Sequence, residues 1–218
     1  MEEKYVITIG RQLGSGGKTV GDMLAARLKI SCYDKELIQI ASKESGIGKE
    51  LFEQADEKTG FNSMSLWGSL FGFSSYGGGD FFTNNYMSNE SLFKIQSDVI
   101  RELAGQQSCI FVGRCADYIL QDHPRKLSVF ICADIEDRIR LMAERQNLSK
   151  DKTETLIEQT DKKRASYYNY YSNKVWGMAT SYDLCINSSV FGMEGTADCI
   201  LQFAQKKFNL KELHIGYD

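Results

Sequence analysis

Proline is nearly missing from this chain: Pro124 is the only one in 218 residues. Beside His123 it reads as a turn ahead of a strand. Histidine is scarce as well. His123 and His214 stand in turn-like or terminal sequence, join no motif and read as surface residues. The six cysteines (Cys32, Cys109, Cys115, Cys132, Cys185 and Cys199) form no CxxC pair. That argues against a zinc or disulfide framework and for buried, reduced thiols. No apolar run approaches the roughly 20 residues of a membrane span. The start Met1-Glu2-Glu3-Lys4 lacks a signal-peptide pattern, so no membrane partner and a cytoplasmic location are expected. Positive charge is not in excess either. A net charge of −3 and a pI near 5.6 leave no footprint for general nucleic-acid binding.

What is present is ordinary globular material, 42% hydrophobic and 25% charged, enough for a single domain over residues 1–218. Four short apolar runs lack polar alternation: Tyr5–Ile9, Cys109–Val112, Ser128–Cys132 and Leu184–Ile186. Continuous apolarity predicts strands buried on both faces, as in a parallel sheet covered by helices. Ile30–Tyr33 is a weaker fifth strand. Helical stripes lie between them: Val20, Met23, Leu24 and Leu28; Leu92, Ile95, Val99 and Leu103; Ile135, Ile139 and Met142; and Ala197 to Phe208. Strands alternating with helices imply a doubly wound α/β domain with right-handed crossovers. The stretch 60–89 breaks the rhythm with Gly, Ser, Asn and aromatics. It is open to two readings, a cap over a ligand or a subunit interface that would make a homodimer.

The strongest chemical signal is a strand, a glycine-rich turn and a helix: Val6–Ile9, then Gly10 to Gly17, then Lys18 onward. Such a turn aims backbone N–H groups and a helix dipole at an anion, and glycine lets phosphate approach. Gly14, Ser15, Gly16, Gly17, Lys18 and Thr19 are the expected triphosphate contacts, with the Thr19 hydroxyl a candidate magnesium ligand. Two registers fit. In GxxxxGK[ST], Gly17-Lys18-Thr19 matches but Gln12 replaces the first glycine. In GxxGxGKGT, Gly14, Gly16 and Thr19 match, but Gly17 stands where lysine belongs and Arg11 where the first glycine belongs. The registers disagree on whether Lys18 or Arg11 serves the phosphates. A dinucleotide turn competes, with Gly14-Ser15-Gly16 opening GxGxxG and Asp34 as the ribose carboxylate. Its third glycine position holds Thr19. A plain structural turn also remains open.

Taken together, several stretches resemble the cytidylate kinase-like family, relatives of cytidylate kinase among the P-loop nucleoside monophosphate kinases. They are Ile7–Gly17, Tyr33–Ile38, Phe111–Leu120, Asp161–Tyr168 and Tyr182–Asn187. The resemblance spans nearly the whole chain. It implies a P-loop NTPase three-layer fold, with a five-stranded parallel sheet flanked by helices, an acceptor-side insertion and a helical LID near 150–180. It also implies ATP and Mg2+. Arg114 matches the phosphate-binding arginine of the family's Gly-Arg-Asp motif. Asp161 and Arg164 match the Asp-x-x-Arg part of the LID, which puts Asp161 on the substrate side. Asn187 and Ser188 fall at the turn near the donor base. Three departures stand out: the shifted lysine, Val112 where an acidic residue precedes Gly-Arg, and Lys35–Ile40 in place of the usual acceptor motif.

The expected reaction is transfer of the γ-phosphoryl group of ATP to a small phosphate-bearing acceptor, with a nucleoside monophosphate such as CMP leading. Loop amides and Lys18 hold the donor, Arg114 the acceptor, and Arg164 with Lys163 neutralises the transferring group. Asp34 is either an acceptor contact or the N-cap of a following helix. The alternatives are a P-loop kinase for another metabolite and a nucleotide-binding module without turnover.

Overall fold

The computed structural model describes residues 3–34 and 89–210. The insertion 60–89 falls outside them except for its last residue, as do His214 and the segment Lys35–Ile40. The chain divides into two compact units, Met1–Glu36 with Ile100–Asp218, and Leu37–Val99. Of the second unit only residues 89–99 are described, and they are helical. Every site residue discussed below lies in the first.

Over the described residues the order is β1 (Val6–Arg11), α1 (Gly17–Leu28), β2 (Ser31–Tyr33), α2 (Asn89–Gln106), β3 (Cys109–Val112), α3 (Ala116–Ile119), β4 (Lys126–Cys132), α4 (Ile135–Gln146), α5 (Lys150–Ser172), β5 (Leu184–Asn187) and α6 (Ser188–Phe208). The strands form one sheet in the order β2-β3-β1-β4-β5, and every pairing is parallel. The first apolar run therefore lies at the centre of the sheet, with β3 on one side and β4 on the other. Val6, Ile7, Ile9 and all of β3 are at most 1% exposed, as continuous apolarity requires. At the sheet edge the rule relaxes, and Cys185 on β5 is exposed rather than buried. All six thiols are free.

One face of the sheet is covered by α1 and α6, whose Val20, Leu24, Ala197, Ile200, Leu201 and Ala204 close over Ile7, Ile9, Val129 and Ile131. Phe130 alternates to the opposite face, where it meets Trp176 edge-on at 5.1 Å and Tyr182 at 5.0 Å. Four helices end on a left-handed residue, Lys29, Asn147, Asn173 or Asn209, which lets the cap amide reach back to the last turn's carbonyls. The stripe on α4 differs from the sequence pattern. Ile139 and Met142 are buried, but Ile135 is 39% exposed and Arg138, at 6%, turns inward instead.

Tyr168 on α5 donates its hydroxyl to Asp117 of α3 at 2.7 Å. Burial raises the Asp117 pKa, while the Tyr168 hydrogen bond and the Lys126 charge pull it down by less. The folded state therefore holds this proton more tightly than the unfolded chain does. The penalty on the charged form is absent below about pH 4, grows through the interval up to the raised pKa, and is complete above it. Asp117→Asn keeps an acceptor for Tyr168 and removes the penalty. In urea titrations at several pH values, the variant's stability relative to the parent is expected to rise from about pH 4 upward and then level off. A flat or falling difference contradicts the assignment.

Candidate active site

The turn between β1 and α1 lies at the carboxyl ends of the central strands, where parallel α/β sheets bind ligands. Gly14 (φ 81°) and Gly16 (φ 73°) are left-handed, a conformation that glycine adopts without strain. Gly16 caps α1, so the amides of the helix start face the turn. Alternation of left-handed and ordinary residues is the backbone pattern that in general turns N–H groups into a concavity suited to anions.

The turn is held from outside. The Gln12 amide donates to Ile131 O at 3.1 Å, and its side-chain oxygen accepts from Ala133 N at 3.2 Å. Ser15 is fully buried, and the Ser188 hydroxyl lies 2.9 Å from Ser15 O and 3.1 Å from Cys132 O. The Leu13 peptide is gripped at both ends. Its N–H donates to Asp161 Oδ1 at 2.8 Å, and its C=O accepts from Arg138 Nε at 2.7 Å. Arg138 and Asp161 close the ring through a short ion pair. The Leu13 side chain packs on Ile139, Met142 and Ile157, so α4 and α5 fix this residue by polar and apolar contacts together. Arg138 had no place among the sequence candidates. Its signal was an arginine four residues before Met142 on the inward stripe.

Arg164 comes to the same place. It lies on the α5 face shared by Asp161 and Tyr168, and its Nη1 donates to Arg11 O at 3.1 Å. Burial lowers its pKa, Asp161 opposes that, and the charges of Arg114 and Arg138 lower it further. A guanidinium held among other guanidiniums is poised to gain from an arriving anion. Lys163 is not brought there: it is exposed, with Lys162, on the other side of the helix.

Arg114 lies in the turn after β3, where Gly113, Arg114 and Cys115 have φ values of 83°, 60° and 53°. Two consecutive non-glycine residues in the left-handed region are costly, at about 1–2 kcal/mol each, and such strain gathers at functional sites. The preceding Val112 is fully buried at the end of the strand.

Lys18 points elsewhere. Its ammonium lies 2.6 Å from Asp22 and 3.4 Å from Asp34. Burial lowers its pKa, but the two carboxylates outweigh that and raise it overall. The side chain is 43% exposed, so this ion pairing contributes at most about 1 kcal/mol. Lys18→Ala is accordingly expected to leave ATP affinity unchanged within a factor of a few, measured by calorimetry. A tenfold or greater loss would return the phosphate role to Lys18.

Thr19 Oγ1 lies 3.4 Å from Arg145 Nη2. A hydroxyl facing a guanidinium is poorly disposed to bind a cation. Among the described residues no group of three or more His, Cys, Asp or Glu side chains could hold a metal. Among the described residues, side chains alone therefore do not assemble a magnesium centre. Among these residues no helix is long and apolar enough to cross a membrane.

A central β1 flanked by β3 and β4, a glycine turn leading into α1, and Arg164 of α5 reaching that turn within range of the Arg114 charge define a P-loop protein of the kinase type. The chain belongs to the cytidylate kinase-like family, whose model matches residues 6–190. It is 26% identical over 208 residues to a cytidylate kinase of Archaeoglobus fulgidus, covering 92% of this chain and 95% of that one. Among solved structures, it is similar to an uncharacterised protein from Eubacterium ventriosum, with a TM-score of 0.68, 25% identity, and coverage of 93% of this chain and 99% of that one. A shikimate kinase from Bacteroides thetaiotaomicron shares the fold at a TM-score of 0.50 and 17% identity, with coverage of 94% and 99%.

Proposed function

We propose that the protein transfers the γ-phosphoryl group of ATP to a small phosphate-bearing acceptor, a nucleoside monophosphate such as CMP. The observation that carries this reading is the concentration of guanidinium groups at the glycine turn. Arg164 reaches the Arg11 carbonyl, and its charge is opposed by those of Arg114 and Arg138. Arg138 is engaged by Asp161 and Leu13, so the guanidiniums proposed to meet phosphate oxygens are those of Arg114 and Arg164, beside Arg11 at the end of β1. An oxygen of the acceptor's phosphate bonds to the γ-phosphorus as the bond to the β–γ bridging oxygen breaks, and ADP leaves with that electron pair. The acceptor oxygen is already ionised, so no general base is needed. The protein's part is to position both phosphates and meet the spreading charge with fixed donors. The likeness to an archaeal cytidylate kinase over most of the chain supports a nucleotide acceptor.

A second reading has one observation in its favour. Asp22 of α1 and Asp34 after β2 both stand at Lys18, and carboxylates there suit an acceptor presenting hydroxyl groups. A panel of CMP, UMP, AMP, dCMP and hydroxylated acids with ATP and magnesium separates the two. The proposal expects ADP release stimulated by a nucleoside monophosphate, with the diphosphate as product. Turnover with hydroxyl acceptors only overturns it in favour of the second reading. ATP binding without ADP release from any acceptor leaves a nucleotide-binding module.

A further inference from the structure

Position 17, where the GxxGxGKGT register calls for lysine, holds a glycine, and the space a side chain would need there is already filled. A Cβ built on Gly17 would come within 2.6 Å of Arg11 Cβ and 2.8 Å of Arg11 Cγ. Arg11 occupies the register's first glycine position, at the end of β1. Its aliphatic part therefore crosses the start of α1, and its guanidinium continues to Gly113. A Cβ on Gly113 would overlap Arg11 Nη1 and lie 3.0 Å from Arg11 Cζ. Both ends of the arginine's path are lined by residues without side chains.

We propose that Arg11 is the phosphate-binding cation of this loop, delivered from the strand side to a position that a lysine at 17 would otherwise serve from the helix. The two arrangements exclude each other sterically. A side chain at 17 requires glycine at 11, and a side chain at 11 requires glycine at 17. The exchange also changes the chemistry. An ammonium acts as a point charge, whereas a guanidinium offers a planar fork that can engage two phosphate oxygens at once. Lying against Gly113, it is one residue from Arg114, so the fork stands between the glycine turn and the arginine after β3. Lys18, committed to Asp22 and Asp34, is not needed for this role.

The inference rests on the reading of the β1–α1 turn as a triphosphate site, and the test reads nucleotide affinity without any acceptor. The variants are Arg11→Met, which keeps the aliphatic packing on Gly17 and removes the charge, Arg11→Gly, and the exchange Arg11→Gly with Gly17→Lys. ATP binding is measured by calorimetry, and thermal midpoints confirm folding. Arg11→Met and Arg11→Gly are expected to weaken ATP binding at least tenfold. The exchange variant, which rebuilds the standard register, is expected to recover most of that loss. Wild-type affinity in Arg11→Met overturns the proposal, as does an exchange variant that folds but binds no better than Arg11→Gly. A parent protein that binds no ATP also overturns it. A parent that binds ATP but phosphorylates nothing in the acceptor panel defeats the reaction proposed above, while the affinities still decide the role of Arg11.

Discussion

Arg164→Ala is expected to lower kcat by up to about 10³-fold while changing ATP affinity far less. The magnitude follows from when the guanidinium is most needed. Arg164 sits half-buried with Arg114 and Arg138 both opposing its charge, while Asp161, 4.0 Å away, pulls the other way. Anionic charge drawn into this cluster peaks as the phosphoryl group moves between oxygens. An interaction strongest at that moment acts on kcat rather than on binding. The variant is not silent in stability, however. The hydrogen bond to Arg11 O is made by a charged donor, and losing it is expected to cost about 1.5–3 kcal/mol. Arg164→Lys keeps the charge without the fork and should fall between parent and alanine. Single-turnover kinetics beside urea denaturation separate the two effects. Normal turnover of Arg164→Ala with its best acceptor would reduce the residue to a structural tie.

Arg138→Met is expected to be the most destabilising of the substitutions considered, at about 3–5 kcal/mol. It removes one partner of a buried ion pair and frees Leu13 O from its donor. Asp161 is left with the Leu13 amide and the more distant Arg164. For a chain of this size the loss corresponds to a fall in Tm of roughly 6–20 °C. Arg138→Met combined with Asp161→Leu should recover part of the loss, because an apolar pair removes the uncompensated charge. A single variant that melts within a degree or two of the parent would show that Leu13 holds its place by packing alone.

The sheet was legible because its strands are covered on both faces, so burial wrote itself as unbroken runs such as Cys109–Val112. The weak fifth run proved to be β2, short and only partly buried at the edge. The glycine turn was legible too, since positive φ at Gly14 and Gly16 demands the residue type found there. Spacing along the chain could not decide between the two registers. What separates them is the direction of one side chain, that of Arg11, across a gap too small for a Cβ at position 17. Arg138 escaped notice because an arginine in an amphipathic helix ordinarily reads as solvated. It is buried here because its acceptors, Leu13 O and Asp161, come from segments 125 residues before it and 23 after it. Lys162, Lys163 and Arg164 looked like one cationic run, but helical geometry sends Arg164 inward and leaves the two lysines outside.

Helix α5 is 23 residues long, roughly 35 Å from end to end. Its three ties to the first half of the site, Asp161 to Leu13, Arg164 to Arg11 and Tyr168 to Asp117, fall on neighbouring turns near its middle and second half. Mechanically it is a beam riveted within its span rather than a flap hung from one end. A displacement of the helix cannot leave the peptide units of Arg11 and Leu13 untouched without breaking these hydrogen bonds. The peptide units that shape the loop are thus tied to a helix whose outer face, at Lys162 and Lys163, lies away from it.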